Sequence, residues 1–217
     1  MKSKNIIACL FLLFATQAVS AQNNAETLIR LLIGQIKSHD NVEMTFNYQI
    51  SPDGKQAGDS EKGHAWLQGE AYKVEMADQQ TISNGTTIWT YLVDAEEVMI
   101  SNTNEGTDNT PLKVLTSLDE NYAATLTSID PQGNATIELA NPNGQYKRVT
   151  LRINAKKYEL KSADIYMEDG NKFIINIEEM IFDQKLDDKF FTFDTKKHPN
   201  VDVIDMRRGN KTRIFPY

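Results

Sequence analysis

The stretch HAWLQGEAYKVEMADQQTISNGTTIWTYLVDAEEVMI, residues 64–100, decides the fold. β-Branched and aromatic residues alternate with polar ones in it, and Gly, Asn and acidic residues interrupt the runs. It therefore reads as four or five short strands in immediate succession. The clearest hairpin signal is Asn84-Gly85, between Thr81-Ile82-Ser83 and the run from Thr86 to Leu92. Both residues tolerate positive φ, which a two-residue type I′ turn requires, so the sequence predicts that turn here. Beyond it, alternation sends Trp89, Tyr91 and Val93 to one face and Ile88, Thr90 and Leu92 to the other. Both faces carry large apolar groups, so something other than solvent is expected to meet each side.

The same pattern continues on both sides of this stretch. Strands are predicted at 42–50, 123–129, 135–140, 147–153, 159–167 and 172–180, at the spacing of an antiparallel domain. Ser51-Pro52-Asp53-Gly54, Pro131-Gln132-Gly133-Asn134, Asn141-Pro142-Asn143-Gly144, Asn154-Ala155-Lys156-Lys157 and Asp169-Gly170-Asn171 are turns by composition. Only residues 24–38 switch convincingly to a helical period. There Leu28, Leu32 and Ile36 form a stripe widened by Ile29 and Leu31, and Asn23 with Glu26 resembles a capping box. A shorter helix is predicted over 111–118, with Thr110 as cap and Pro111 at its first position. About ten strands against two helices make the chain mainly β (α+β). Hairpin connections throughout predict one large antiparallel meander, strongly twisted and curled into a barrel or part of one, in a single domain over 22–217.

The chain opens with an export signal. Lys2 and Lys4 precede an apolar run from Ile6 to Ala15, and Val19-Ser20-Ala21 is a small-residue cleavage site, so residues 1–21 read as a secretory signal peptide. That run is shorter than the roughly 18 apolar residues a membrane span needs. Cys9, the single cysteine, lies inside it, and a mature chain without cysteine must rely on its core. Removing the signal lowers Lys+Arg from 23 to 21 against 30 acids and moves the formal charge from −7 to −9. That balance argues against nucleic acid and against anionic membrane surfaces, which call for basic patches.

Catalytic chemistry finds little support. His39, His64 and His198 are far apart in sequence, and neither HExxH nor Gly-x-Ser-x-Gly occurs. Glu96-Glu97 and Asp187-Asp188 are adjacent acids, which on a strand face opposite sides and make solvated pairs rather than an acid/base couple. The expectation is a protein that is not an enzyme and uses no cofactor and no metal. The helices then have two readings: they plug an ordinary core, or they form a lid over a hydrophobic cavity for a greasy ligand.

Several segments, in order, resemble the LolA family of periplasmic lipoprotein carriers. These are the amphipathic helix followed by VEMTFNYQI, then GHAWLQGEAYKVEM, ISNGTTIWTYLVDAEEVMI, NTPLKVL and FTFDTKKHPNVDVIDM. The resemblance implies an incomplete barrel, or strongly curved sheet, whose concave face is covered by helices. It also implies a function: moving acylated lipoproteins from the inner to the outer membrane, loaded by an inner-membrane ABC exporter and released to an outer-membrane acceptor or the membrane itself. The carrier would act in the periplasm as a monomer. Carried over by position, Tyr72, Val74 and Met76 would line the cavity, with Trp66 and Trp89 as wall residues. Leu32 and Ile36 would face it from the first helix, and Leu112 and Leu115 from the lid helix. The chain departs from the family at Gln68-Gly69-Glu70, where members usually carry the Arg-Pro pair whose Arg latches the lid. A lipid-binding or envelope-stress-sensing module on the same fold is the alternative function.

Overall fold

The computed structural model describes residues 24–103, 122–140, 146–187, 189–207 and 212–214. The expected signal peptide (1–21) and lid helix (111–118, with Leu112 and Leu115) lie outside these residues, as do Asn23 and the turn at Asn141–Gly144. Two compact units divide the chain. The first gathers the helix as far as Gln35, the Ser51–Gln56 turn and the later strands up to Ile174; the second takes the rest.

In the first unit, helix α1 spans 24–37 and buries Ala25, Ile29 and Leu32, at 0%, 6% and 1% exposure. The buried stripe is therefore rotated from the predicted Leu28–Leu32–Ile36 line, and Leu31 is exposed at 39%. Ala25 is fully buried but small, so a reading by large apolar residues misses it. Four strands belong to this unit, β7 (Ala123–Ile129), β8 (Asn134–Ala140), β9 (Tyr146–Asn154) and β10 (Glu159–Met167), with the start of β11 (Lys172–Phe182). Successive antiparallel hairpins join β7 to β10. Their registers stack Ala135, Ile137 and Leu139 against Ile153, Leu151 and Val149, and these in turn against Leu160, Ala163 and Ile165, all buried. At about 1.5–3 kcal/mol for each fully buried Val, Leu or Ile, this face holds the unit together.

The reverse face of the same strands is polar and partly buried. Asp164, with a side chain 6% exposed, accepts from Arg152 Nη1 and Nη2 at 3.1 and 3.2 Å and pairs with Lys172 Nζ at 3.0 Å. Burial pushes its carboxyl up, but the bonds from Arg152 and Lys172 outweigh that and hold it below the usual aspartate range. Tyr166 takes Arg148 on its ring at 4.1 Å and Lys172 at 5.1 Å.

The second unit is built on β1 (Val42–Ser51), β2 (Glu61–Gln68), β3 (Ala71–Glu75), β4 (Gln79–Ser83), β5 (Thr87–Leu92) and β6 (Glu97–Asn102), a meander in chain order. Strand β12 (Asp202–Asp205) pairs with β6 in parallel, and β13 (Thr212–Ile214) pairs with β12. The hydrogen-bonded order is β13-β12-β6-β5-β4-β3-β2-β1-β11-β10-β9-β8-β7, thirteen strands. The structure thus differs from the single antiparallel meander predicted: among the described strands β12 pairs with β6 in parallel, and β1 pairs with β11, distant in sequence. A parallel pair needs a long crossover, and residues 183–201 supply its final stretch. Of the helices expected to cover the sheet, α1 alone falls within the described residues.

Turn chemistry explains the registers. The predicted I′ turn at Asn84-Gly85 is shifted by one residue: Asn84 N–H donates to Thr87 O at 3.2 Å, Gly85 takes φ 90°, and Thr86 keeps negative φ. Positive φ at the first central residue alone is the type II′ pattern. Asn84 is freed to accept from Thr86 N and Thr87 N at 3.0 and 2.9 Å, which makes it an Asx brace rather than a turn centre. Where the chain enters β1, Asp183 accepts from the Asp40 N–H at 2.8 Å and sits 2.8 Å from His39 Nδ1, while His39 stacks on Phe182.

Candidate functional site

The registers of the second unit assign each side chain of β2–β6 to one of two faces. Gln68 pairs with Ala71 around the Gly69-Glu70 turn, so Trp66 lies opposite Lys73 and Leu67 opposite Tyr72. Continuing across, Lys73 meets Ile82, Ile82 meets Trp89, and Trp89 meets Ile100. On the other face Ala65 meets Val74, Val74 meets Thr81, and Tyr72 meets Ser83. Of the residues expected at the cavity, Tyr72 and Val74 therefore share one face, which Met76 continues in the alternation, and Trp66 and Trp89 share the opposite one. Leu32 is buried within the first unit, and Ile36 is half-buried at the start of the second.

The Tyr72–Val74 face is apolar and closed. Val42, Met44, Phe46, Val74 and Ile88 are each 1–3% exposed, and Thr81 and Ser83 are buried among them. Gly63 lies directly opposite Phe46, and the Phe46 ring occupies the space that a Cβ would need there. At the end of β1, Tyr48 donates to Glu61 Oε2 at 2.7 Å and accepts from Ala77 N–H. Burial and the bond to Glu61 push its phenol up to about 12.

The Trp66–Trp89 face is covered by the crossover. Phe191, Phe193 and Val201 form a buried cluster with Ile82 and Val98, and Trp66, Trp89, Tyr91 and Phe190 pack around it. Phe190 meets Trp66 edge-on at 5.3 Å, and Phe193 stacks on His198 at 4.8 Å. The segment lies over the sheet without strand partners because it satisfies its backbone in successive turns. Phe190 N–H donates to Asp187 O, Thr192 N–H to Lys189 O, and Val201 N–H to His198 O. Asp187 caps the first turn through Lys189 N at 2.8 Å, and Asp194 caps the next through Lys196 N at 3.1 Å. Asp187 is exposed, as the sequence reading of a solvated acid expects, and it also caps the turn that leads into Phe191, where the segment that resembles the family begins. The Asp-x-Lys spacing, which occurs at both turns, is the signal that could have shown them.

Between this segment and β3–β4 lies a cavity of about 680 Å³. Ile82, Phe190 and Phe193 give it an apolar floor, and Lys73, Lys189, Lys196 and Lys197 stand around it with Asp187 and Asp194. Lys73 is the inner cation: its Nζ is 2.7 Å from Glu75 Oε1 and 5.0 and 5.5 Å from the Phe190 and Trp66 rings. Among the described residues, Lys189, Lys196 and Lys197 have no ion-pair partner, and no group of three or more His, Cys, Asp or Glu could hold a metal ion. No helix of the described residues is long and apolar enough to cross a membrane.

Comparison with known proteins gives a family. The model for "Outer membrane lipoprotein carrier protein LolA" matches residues 72–194. No curated protein sequence matches. Among solved structures, an uncharacterized conserved protein from Thermus thermophilus is similar at 11% identity, over 82% of this chain and 98% of that one, with a TM-score of 0.53. A LolA superfamily protein from Nitrosomonas europaea is 14% identical, over 78% and 97%, at 0.44. MucB, in the MucA/MucB complex of Pseudomonas aeruginosa, is 11% identical, over 80% and 62%, at 0.36.

Proposed function

The chain belongs to the LolA family, and on that premise we propose that it is a carrier that takes the acyl chains of lipoproteins into a hydrophobic cavity and moves them from the inner to the outer membrane. The family match over 72–194 carries the reading. The family is periplasmic, which accords with an N-terminus that reads as an export signal. In this proposal the acyl chains lie on the Tyr72–Val74 face, with Met76 beside them and Leu32, Ile36, Leu112 and Leu115 acting from the helices. Each methylene of an acyl chain costs about 0.8 kcal/mol in water, so a cargo with two or three chains needs a carrier for the crossing. A carrier must also release its cargo, so the acyl chains would exchange against the packing that buries this face and neither arrangement would become a trap. Binding and release need no covalent chemistry. The loading partner would be an inner-membrane ABC exporter, and the recipient an outer-membrane acceptor or the membrane.

The test is native mass spectrometry of the protein isolated from an envelope fraction, beside Tyr72→Lys and a Leu112→Glu, Leu115→Glu double variant, each checked for native circular dichroism. Acylated lipoprotein on the parent and its loss from folded variants would support the carrier. Free phospholipid alone would replace it with a lipid-binding or envelope-stress-sensing module, and an empty parent would refute both.

A further inference from the structure

From the cavity under the crossover we infer that this protein has a second ligand site, on the sheet face opposite the one assigned to acyl chains, which binds the phosphate head of an anionic amphiphile. Charge is the first argument. The chain carries 30 acids against 23 Lys and Arg, yet this cavity is lined by four lysines and two aspartates, the reverse of the molecule's sign. Both aspartates are held in turns by backbone N–H groups of the same segment. Meanwhile Lys189, Lys196 and Lys197 have no carboxylate partner among the described residues. Four lysines against two aspartates leave the lining of this concave site net positive, which favours a phosphate oxygen.

Shape is the second argument. A volume of about 680 Å³ falls within the range of ligand pockets, and the floor of Ile82, Phe190 and Phe193 is apolar. A bare anion gains nothing from that floor, whereas a head group on an apolar stem uses both parts. Lys73 marks the border between them: its ammonium already sits against the Phe190 and Trp66 rings with a single carboxylate beside it. The edge-on contact of Phe190 with Trp66 and the stack of Phe193 on His198 brace the floor from within the protein.

The inference stands apart from the carrier reading, because its residues are on the opposite face from Tyr72 and Val74. The experiment is a calorimetric and NMR titration of the full mature chain with dihexanoyl-phosphatidylglycerol below its micelle concentration. Parallel titrations use dihexanoyl-phosphatidylcholine, inorganic phosphate, and vesicles of phosphatidylglycerol. The proposal expects saturable binding of the short-chain phosphatidylglycerol, with resonances of Phe190, Phe193 and His198 shifting. It expects at least about tenfold weaker binding of phosphatidylcholine, and the same loss in a Lys196→Gln, Lys197→Gln variant, whose changes are at exposed positions. A Lys156→Gln, Lys161→Gln control, in the first unit, should bind as the parent does. Equal binding of the two lipids, or an unchanged Lys196/Lys197 variant, overturns the proposal. Inorganic phosphate binding as tightly as the lipid overturns the role of the apolar floor, and binding to vesicles alone shows surface adsorption instead of a pocket. Lipoprotein loading by the Lys196/Lys197 variant is measured separately, so failure of this site and failure of the carrier reading are distinguishable.

Discussion

Replacing Gly63 by alanine tests how tightly the closed face of the second unit is built. Gly63 sits on β2 directly across from Phe46 on β1, and Phe46 is 2% exposed. A Cβ at position 63 would overlap the ring atoms Cε2 and Cζ of Phe46 and come within 3.1 Å of the Glu75 carbonyl. The backbone at Gly63 does not need positive φ. With open space, Gly→Ala would therefore stabilise by about 0.4–1 kcal/mol through the unfolded chain. Overpacking a closed core costs about 1–3 kcal/mol, so the net expectation is a loss of about 1–2 kcal/mol. A Phe46→Leu background removes the ring atoms, and in it Gly63→Ala should cost nothing or stabilise. The assay is urea unfolding followed by tryptophan fluorescence, because both tryptophans, Trp66 and Trp89, are in the second unit. A double-mutant cycle then isolates the contact. If Gly63→Ala changes stability by less than about 0.5 kcal/mol, or costs the same in both backgrounds, the face is loosely packed and the reasoning fails.

Phe193→Ala, which empties a position 6% exposed beneath the crossover, should cost about 3–5 kcal/mol in the same tryptophan-monitored unfolding. Asn84→Ala removes the acceptor for two backbone N–H groups of the β4–β5 turn and should cost about 1–2 kcal/mol, while Asn84→Asp should retain most of the stability. Asp164→Asn should destabilise the protein at pH 7, with the difference read from circular dichroism melts across a pH series. The folded carboxyl lies below its unfolded value of about 3.9, so its contribution is complete above that pH and is lost as the pH falls through the folded value. The parent and variant curves should therefore draw together as the pH falls through the acid range, and a gap that does not narrow there would show that the Asp164 charge is not what the Arg152–Lys172 cluster needs.

Much of the fold was legible from its turn signals. The strands at Ala123–Ile129 and Glu159–Met167 fall at their predicted bounds because each ends at an Asx or Gly turn, although register shifts interrupt the alternation inside both. The strand count fell short at the C-terminal end, where β12 and β13 are four and three residues long and draw their pairing from β6, distant in sequence. Local composition cannot report such a partner. The face assignments were legible in principle. A two-residue turn at Gly69-Glu70 fixes the β2–β3 register and so puts Trp66 and Tyr72 on opposite faces, which the family resemblance, giving both to the cavity by position, does not distinguish. Both faces of β5 were expected to be covered, and the Trp89–Tyr91 side is, although by turns instead of a helix. That cover escaped a reading by periodicity because Phe191 and Phe193, buried on either side of exposed Thr192, keep a strand period although the segment is built of turns.

The asymmetry between the two faces bears on how a carrier can work. A sheet that exchanges an apolar cargo loses the packing of one face each time the cover is displaced, and a sheet held only by that packing would loosen with it. In the second unit the opposite face is held by the chain itself. Ile82, Val98, Phe191, Phe193 and Val201 stay buried together, and the Asp187 and Asp194 caps fix the turns that carry the three phenylalanines. None of these groups lies on the Tyr72–Val74 face, so this support persists whatever happens there. The permanent cover thus keeps the registers of β2–β5, and with them the spacing of Tyr72 and Val74, constant between the empty and loaded states. On this argument the carrier reading requires the aromatic crossover as much as the cavity. On that reading, loosening Phe193 should weaken lipoprotein retention in the native mass-spectrometry assay, although Phe193 lies on the face opposite Tyr72 and Val74.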